Sequence, residues 1–516
     1  MKTLLLRLCL PVCIFAASCS SPRKIATTDN GKIAVTFLQV NDVYEIAPIE
    51  AGKTGGMARV ATIKKELLAA NPNSILIMAG DFLSPSVFNS LSYEGKRIRG
   101  RQMVETMDAA GMDIAVFGNH EFDISETELQ SRINESQFRW IASNSFHQTT
   151  TGSVPFAKTN TAGSVAFPET YIWTVRDADG TVAKIGFIGI NIPFNKAPYV
   201  SYTDPLLTAE KLYNQLKDSC DAVVAITHQL MQDDILLAQK VPGLAVILGG
   251  HEHDMRYQKV GNVIITKAHA NARSAYIVQL QLDKRKAQKK VIATLKNIDA
   301  SVKPDSATDV VVKKWSDIAE KNYASIGFDA KKIVLPTGEN LEARETFIRS
   351  RPTNFSKLIV NAMEQAAPTA DVVIINAGSI RLDDILQPPV TQYDIIRSLP
   401  FGGGIVEVDM KGSLLKEVLE AGRKNVGIGG FLHYSSAVFY DAVNQQWTYK
   451  KMPVGNDTIY KVALTDFLLT GGEANMNFLT KTNAGVVKVY PAVSSLSDAR
   501  SDIRLAIINY MEKMNP

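Results

Sequence analysis

Five short runs of apolar, largely β-branched residues each stop on a side chain that can bind a metal ion or carry a proton, and this recurrence constrains the chain more than anything else in it. Residues 33–40 (IAVTFLQV) run into Asn41-Asp42, 74–79 (SILIMA) into Gly80-Asp81, and 113–117 (DIAVF) into Gly118-Asn119-His120. Residues 222–226 (AVVAI) run into Thr227-His228, and 244–248 (LAVIL) into Gly249-Gly250-His251-Glu252-His253. Runs of this kind alternating with amphipathic stretches predict strands and helices interleaved in one α/β domain over about residues 33–300. Ligand crevices of α/β sheets form at the carboxyl ends of their strands, so five runs deliver their polar ends to one edge.

Of seven histidines in the chain, four stand at these ends: His120, His228, His251 and His253. A single histidine after a strand is more often a hydrogen-bonded structural residue. Four of them, together with Asp42, Asp81 and Asn119, favour a metal centre. The mixture of oxygen and imidazole donors suits Zn²⁺, Mn²⁺, Fe²⁺ or Co²⁺, and the lack of nearby thiolates argues against a structural zinc. Glycine before Asp81, Asn119 and His251 lets a tight turn bring each short side chain to a common point.

At 516 residues the chain exceeds a typical ~150-residue domain about threefold, so at least two cores are expected. Residues 301–348 are charged and helical, with a long helix predicted over 309–323, and read as a linker. Beyond 349 a second α/β domain is expected, with helices over 354–365, 413–421 and 498–514 and buried strands over 371–375 and 405–410. At the other end, Lys2 and Arg7 accompany the apolar run 8–17, too short to span a ~30 Å hydrocarbon core and shaped like a secretory signal. Ala16-Ala17-Ser18-Cys19 resembles a bacterial lipobox, which implies cleavage, a lipid on Cys19 and a polar tether over 20–32. An ordinary cleavable signal is the alternative. The expected location is the bacterial cell envelope, facing periplasm or exterior. Fifty-six basic against 52 acidic residues give a formal charge of only +4 over the whole chain, so no electrostatic footprint for a nucleic-acid backbone appears and no nucleic-acid partner is expected. With Cys9 and Cys13 in the leader, no disulfide framework is expected.

The phrases GNHEFD (118–123) and GHEH (250–253), preceded by Gly80-Asp81 and Asn41-Asp42, closely resemble the calcineurin-like metallophosphoesterases. TNFSKLI (353–359), NAGSIR (376–381) and LPFGG (399–403) narrow the resemblance to the 5′-nucleotidase family, over about residues 33–490. That resemblance implies a four-layer α/β/β/α metallophosphoesterase sandwich followed by an α/β 5′-nucleotidase C-terminal domain over 349–516. It implies two divalent ions, one on Asp42 and His253, the other on Asn119, His228 and His251, with Asp81 bridging. A hydroxide between the ions would attack phosphorus in line, releasing phosphate from a nucleoside 5′-monophosphate. His120 would act as general acid or transition-state stabiliser, its imidazole oriented by Asp123. Glu121 and Glu252 would be supporting or solvated residues. In the second domain, Arg381 with Arg349 or Arg351 would grip phosphate or ribose, Asn376 and Gly378 would contact the nucleoside, and Phe401 would stack on the base. No obligatory protein partner is implied.

The chain departs from the family pattern twice. The usual Asp-x-His is Asp42-Val43-Tyr44 here, so one imidazole is replaced by a phenol that is either a bulky wall or a ligand suited to a harder ion. The second base-stacking ring is absent from its usual place in Gly471-Gly472-Glu473-Ala474-Asn475, leaving Phe478 as the nearest substitute. Two other readings therefore stand beside the nucleotidase: the same centre cleaving UDP-sugars, dinucleotides or 2′,3′-cyclic nucleotides, and a nucleotide-binding surface lipoprotein without turnover.

Overall fold

The computed structural model describes residues 29–161, 163–194 and 197–514. The expected leader, Cys19 and the expected tether up to residue 28 lie outside the described residues. Twelve strands make two six-stranded sheets: β1 (Lys32–Val40), β2 (Ser74–Met78), β3 (Ile114–Val116), β4 (Arg139–Ile141), β5 (Thr170–Arg176), β6 (Val182–Asn191), β7 (Ala222–His228), β8 (Val246–Gly250), β9 (Arg256–Val260), β10 (Val263–Lys267), β11 (Ser274–Asp283) and β12 (Gln288–Asn297). Their orders are β12-β11-β1-β2-β3-β4 and β5-β6-β7-β8-β10-β9. The ligand-delivering strands are neighbours: β1, β2 and β3 run parallel in the first sheet, β7 and β8 in the second.

Both faces of these central strands are covered, which is why they read as continuous apolar runs rather than alternating ones. Phe37, Ile77 and Val116 face Phe187, Val224 and Ile226 between the sheets, with the Phe37 and Phe187 rings edge-on at 5.8 Å. Outside the first sheet, Leu38, Leu76 and Met78 pack under α1 (Met57–Ala70) and α2 (Arg101–Ala109). Outside the second, Ile190, Ala225 and Ile247 pack under α3 (Pro205–Leu216) and α4 (Met231–Lys240). The four layers are thus helix, sheet, sheet and helix.

The predicted long helix is α5 (Ser306–Ser325), capped by the Asp305 carboxylate accepting from the Thr308 N–H. It is an integral part of the outer layer rather than a free linker: Val312, Trp315, Ala319 and Tyr323 are buried, and the Trp315 indole donates to Glu105 at 3.0 Å. The second unit also takes up the chain earlier than the sequence boundary at 349. Residues 333–335 pair with 390–391, and 341–342 with 385–386; pairings of two or three residues are too short to leave a periodic signal. The second unit is a five-stranded mixed sheet, in the order 432–434, 372–376, 459–465, 405–411 and 486–489. It carries α6 (Asn354–Ala366), α7 (Gly412–Lys424) and α8 (Ile503–Met514). A single apolar cluster runs from Leu38 through Trp315 and Ile348 to Phe355 and Ile507, crossing from one unit into the other. Among the described residues no helix is long and apolar enough to cross a membrane.

Candidate metal centre and substrate cleft

The strand ends meet by means of unusual backbone. Asp42, Asp81 and His251 have φ of 53°, 56° and 88°, a left-handed conformation that costs a residue with a Cβ roughly 1–2 kcal/mol. The glycines beside them do more than turn the chain. A Cβ on Gly118 would lie 2.1 Å from Asp81 Oδ1, and one on Gly250 would lie 2.3 Å from the Ala79 carbonyl oxygen. Only glycine lets these ends approach so closely.

Seven candidate donors are gathered here. Asp81, His228 and His251 present one donor atom each, all within 4.8 Å of one another. Asn119 Oδ1 faces His251 Nδ1 at 3.1 Å. On the other side of Asp81, the Tyr44 hydroxyl is 3.0 Å from His253 Nε2 and 3.4 Å from both Asp42 Oδ1 and Asp81 Oδ2. His253 Nε2 is 3.6 Å from Asp42 Oδ1.

The donor set fits a cation. His228 Nδ1 lies 2.8 Å from the Ala79 carbonyl, which accepts its proton, so Nε2 is the nitrogen turned to the cluster, holding a proton without a cation and offering its lone pair when a cation displaces that proton. That nitrogen is fully buried, makes no hydrogen bond, and sits 3.0 Å from Asp81 Oδ2. A buried imidazole lone pair beside two buried carboxylates is a ligand arrangement, costly without positive charge between them. Burial works against charging His228, yet the Asp81 and Asp42 carboxylates raise it to about 10. Burial, and then His228, push His251 down to about 3. Burial first and the two carboxylates next hold the Tyr44 phenol well above its usual range.

His120 and Asp123 occupy one short 3₁₀ turn (His120–Asp123), with His120 Nδ1 2.6 Å from Asp123 Oδ2. The His120 N–H donates to Asp81 Oδ1 at 2.8 Å, tying this turn to the ligand cluster. Burial opposes a charge on His120, but Asp123 and Asp81 raise it to about 9. Glu121 is not solvated: it is buried and accepts from the N–H groups of Asp81, Phe82, Leu83 and Gly118 at 2.6–3.0 Å. It fastens the β2 and β3 ends together, a role its place inside GNHE does not reveal. Glu252 accepts from the Met231 N–H at 2.6 Å and pairs with the fully buried Lys267, itself 2.9 Å from Asp234. This triad anchors the His251–His253 turn and carries no sequence signal, because Lys267 is simply the last residue of β10.

The second-domain candidates are less concentrated. Arg381 reaches the first unit, with Nη2 3.9 Å from Asp123 Oδ2 and Nη1 3.5 Å from Glu345 Oε1. Together with His120, His251, His253 and Asp383 it lines a cavity of about 790 Å³ between the units. Arg349, Arg351, Asn376, Gly378, Phe401 and Phe478 are not among the lining side chains. Arg349 pairs with Glu345, and Arg351 lies 4.6 Å over the Phe347 ring. Asn376 Nδ2 donates to Glu473 at 2.6 Å while its Oδ1 accepts from Ser379. The Gly378 N–H donates to the Gly429 carbonyl at 2.7 Å. Phe401 is 67% exposed, whereas Phe478 packs against the core of its own unit. Phe347, which does line the cavity, has no motif to mark it.

Residues 35–255 match the family described as calcineurin-like phosphoesterase, and residues 334–481 match the one described as 5′-nucleotidase, C-terminal domain. The chain is similar to the 5′-nucleotidase of Homo sapiens, 25% identical over 510 residues that cover 86% of this chain and 84% of the relative. It is also similar to a Bacillus subtilis protein named trifunctional nucleotide phosphoesterase, 23% identical over 464 residues covering 81% of this chain and 31% of the relative. Among solved structures, a 5′-nucleotidase precursor from Thermus thermophilus superposes with a TM-score of 0.65 at 19% identity, covering 93% of this chain and 97% of that one. A sulfate thiohydrolase from Thermus thermophilus superposes with a TM-score of 0.61 at 15% identity, over 93% and 94% of the two chains. The shared fold therefore does not by itself fix the substrate.

Proposed function

We propose, from the premise that this chain belongs to the 5′-nucleotidase family of two-domain calcineurin-like phosphoesterases, that it is a metal-dependent phosphoric ester hydrolase releasing phosphate from nucleoside 5′-monophosphates. The observation that carries this reading is the convergence of the Asp81, His228 and His251 donors within 4.8 Å at the mouth of a cavity that Arg381 also lines. Divalent ions bound here supply Lewis acidity toward phosphoryl oxygens and make water acidic enough to react near neutral pH. In our reading His228, His251 and Asn119 hold one ion, Asp42 and His253 the other, and Asp81 lies between them. The Tyr44 hydroxyl, at hydrogen-bonding range of three of these groups, supports a place for it inside the ligand cluster rather than as a wall. Asp123 fixes His120 through Nδ1, which leaves Nε2 to meet the phosphoryl or leaving-group oxygen. Arg381 supplies planar donors to the same phosphate from the second unit.

The family implies divalent ions; their number and identity, Zn, Mn, Co or Fe, belong to the proposal. So does the location. A signal-like run and Cys19 support a lipid-anchored envelope protein, and Cys19→Ala should move it from the membrane fraction to the soluble one. A second reading, cleavage of UDP-sugars, dinucleotides or 2′,3′-cyclic nucleotides at the same centre, is favoured by one observation: neither candidate stacking ring lines the cavity. Purified protein supplemented with Mn²⁺, Zn²⁺ or Co²⁺ separates the readings. Phosphate from AMP supports the nucleotidase, two phosphorylated products from a UDP-sugar support the second reading, and inactivity on every nucleotide would leave only a binding protein.

A further inference from the structure

Two imidazoles of the cluster are oriented from different parts of the molecule. His228 is held within the first unit, Nδ1 to the Ala79 carbonyl. His253 is held from outside it. Among the described residues, the acceptors at its Nδ1 are both on Asp383 of the second unit: the main-chain carbonyl at 3.2 Å and Oδ2 at 3.1 Å. Its Nε2 looks the other way, toward Tyr44 and Asp42. An imidazole that gives its Nδ1 proton to a carboxylate is fixed in the tautomer and the orientation that present Nε2 to a metal, and becomes the stronger ligand for it.

Asp383 is built to do this. Its backbone is left-handed, with φ 45°, and its other carboxylate oxygen accepts the Glu345 N–H at 2.6 Å, which locks the side chain. The flanking residues hold the same segment against the first unit. Arg381 approaches Asp123, and Asp384 pairs with Arg273, which also binds Glu50 at 2.8 Å.

We propose that Asp383 is a positioning residue for His253, so that the ion on the Asp42 and His253 side is held tightly only while the second unit is docked. This rests on the reading of the cluster as a metal centre. Because coupling between two events is reciprocal, an ion at that position also favours the docked arrangement.

The test is metal retention, read by element analysis of the whole protein equilibrated with Mn²⁺ or Zn²⁺ against graded EDTA. Loss of a supporting carboxylate typically weakens metal binding about 10–100-fold. Asp383→Ala is therefore expected to release one ion at about 10–100-fold lower EDTA than wild type, with Asp383→Asn, which keeps an acceptor oxygen, in between. In a His253→Ala background, Asp383→Ala should bring no further loss. If Asp383→Ala retains metal as firmly as wild type, or weakens it equally without His253, the inference is wrong while the metal centre stands. Wild-type protein that takes up no divalent ion overturns the centre and this inference together. Should Asp383→Ala fold poorly, Asp383→Asn alone against wild type decides in the same way.

Discussion

The two ends of the cleft were built differently. At the metal end every candidate donor but Tyr44 sits in or within three residues of a buried strand, and glycines with no room for a Cβ set the spacing between strands. At the organic end Asn376 closes a strand and the other candidates lie off the sheet, their polar groups mostly bonded to neighbours in their own unit, as Asn376 is to Glu473 and Ser379. A sheet edge buried on both faces dictates where its terminal side chains go, whereas a loop side chain is free to find a local partner until a substrate competes for it.

The sharpest way to break that contrast is at the metal end. Asp81→Asn should lower kcat about a thousandfold if this carboxylate lies between two ions as proposed, while the circular-dichroism spectrum stays unchanged; a modest loss would mean the cluster is not the reacting centre. His120→Ala should cost about a hundredfold or more in kcat and leave nucleotide binding, followed by calorimetry, nearly intact.

The organic end is expected to answer unequally. If the base stacks on Phe401, Phe401→Ala should raise KM for AMP about tenfold, in keeping with ~1–3 kcal/mol for a stacked base, and leave Tm alone. Phe478→Ala should instead lower stability, by up to about 3 kcal/mol, with KM unchanged. Equal rises in KM for both variants would show that the two rings close on the base in solution.

The smallest effect is a pH dependence confined to the second unit. His433 is 2% exposed, and burial lowers its pKa from 6.5 to about 4. A group whose folded pKa is depressed contributes stability above the unfolded value, and that contribution is lost as pH falls from about 6.5 toward 4. Tm should fall over that window in wild type and fall less in His433→Leu.

Much of this was legible in the sequence, for physical reasons. Strands buried on both faces write themselves as unbroken apolar runs, so β1, β2, β3, β7 and β8 and the residues after them could be read directly. The long helix was visible through its periodicity, but its packing on α1 and α2 was not, because periodicity gives a face and not its partner. The short pairings at 333–335 and 341–342 left no pattern. Lys267 and Asp383 were invisible, and Glu121 could be read only as supporting or solvated, for a common reason: each acts on a neighbour that the fold brings close, and no local pattern marks that meeting. Asp383 stands only two residues from Arg381, yet one reading of that segment assigns a phosphate grip and the other a support for an imidazole across the cleft.

The left-handed Asp42, Asp81 and His251 carry one more implication. Glycine at those positions would ease the backbone, but at Asp81 it would strip the His120 N–H and His228 of a buried partner, and at Asp42 it would strip the His251 N–H of its acceptor. The tension is tied to the contacts that offset it, so a screen that scores only survival on heating would have no reason to discard these aspartates.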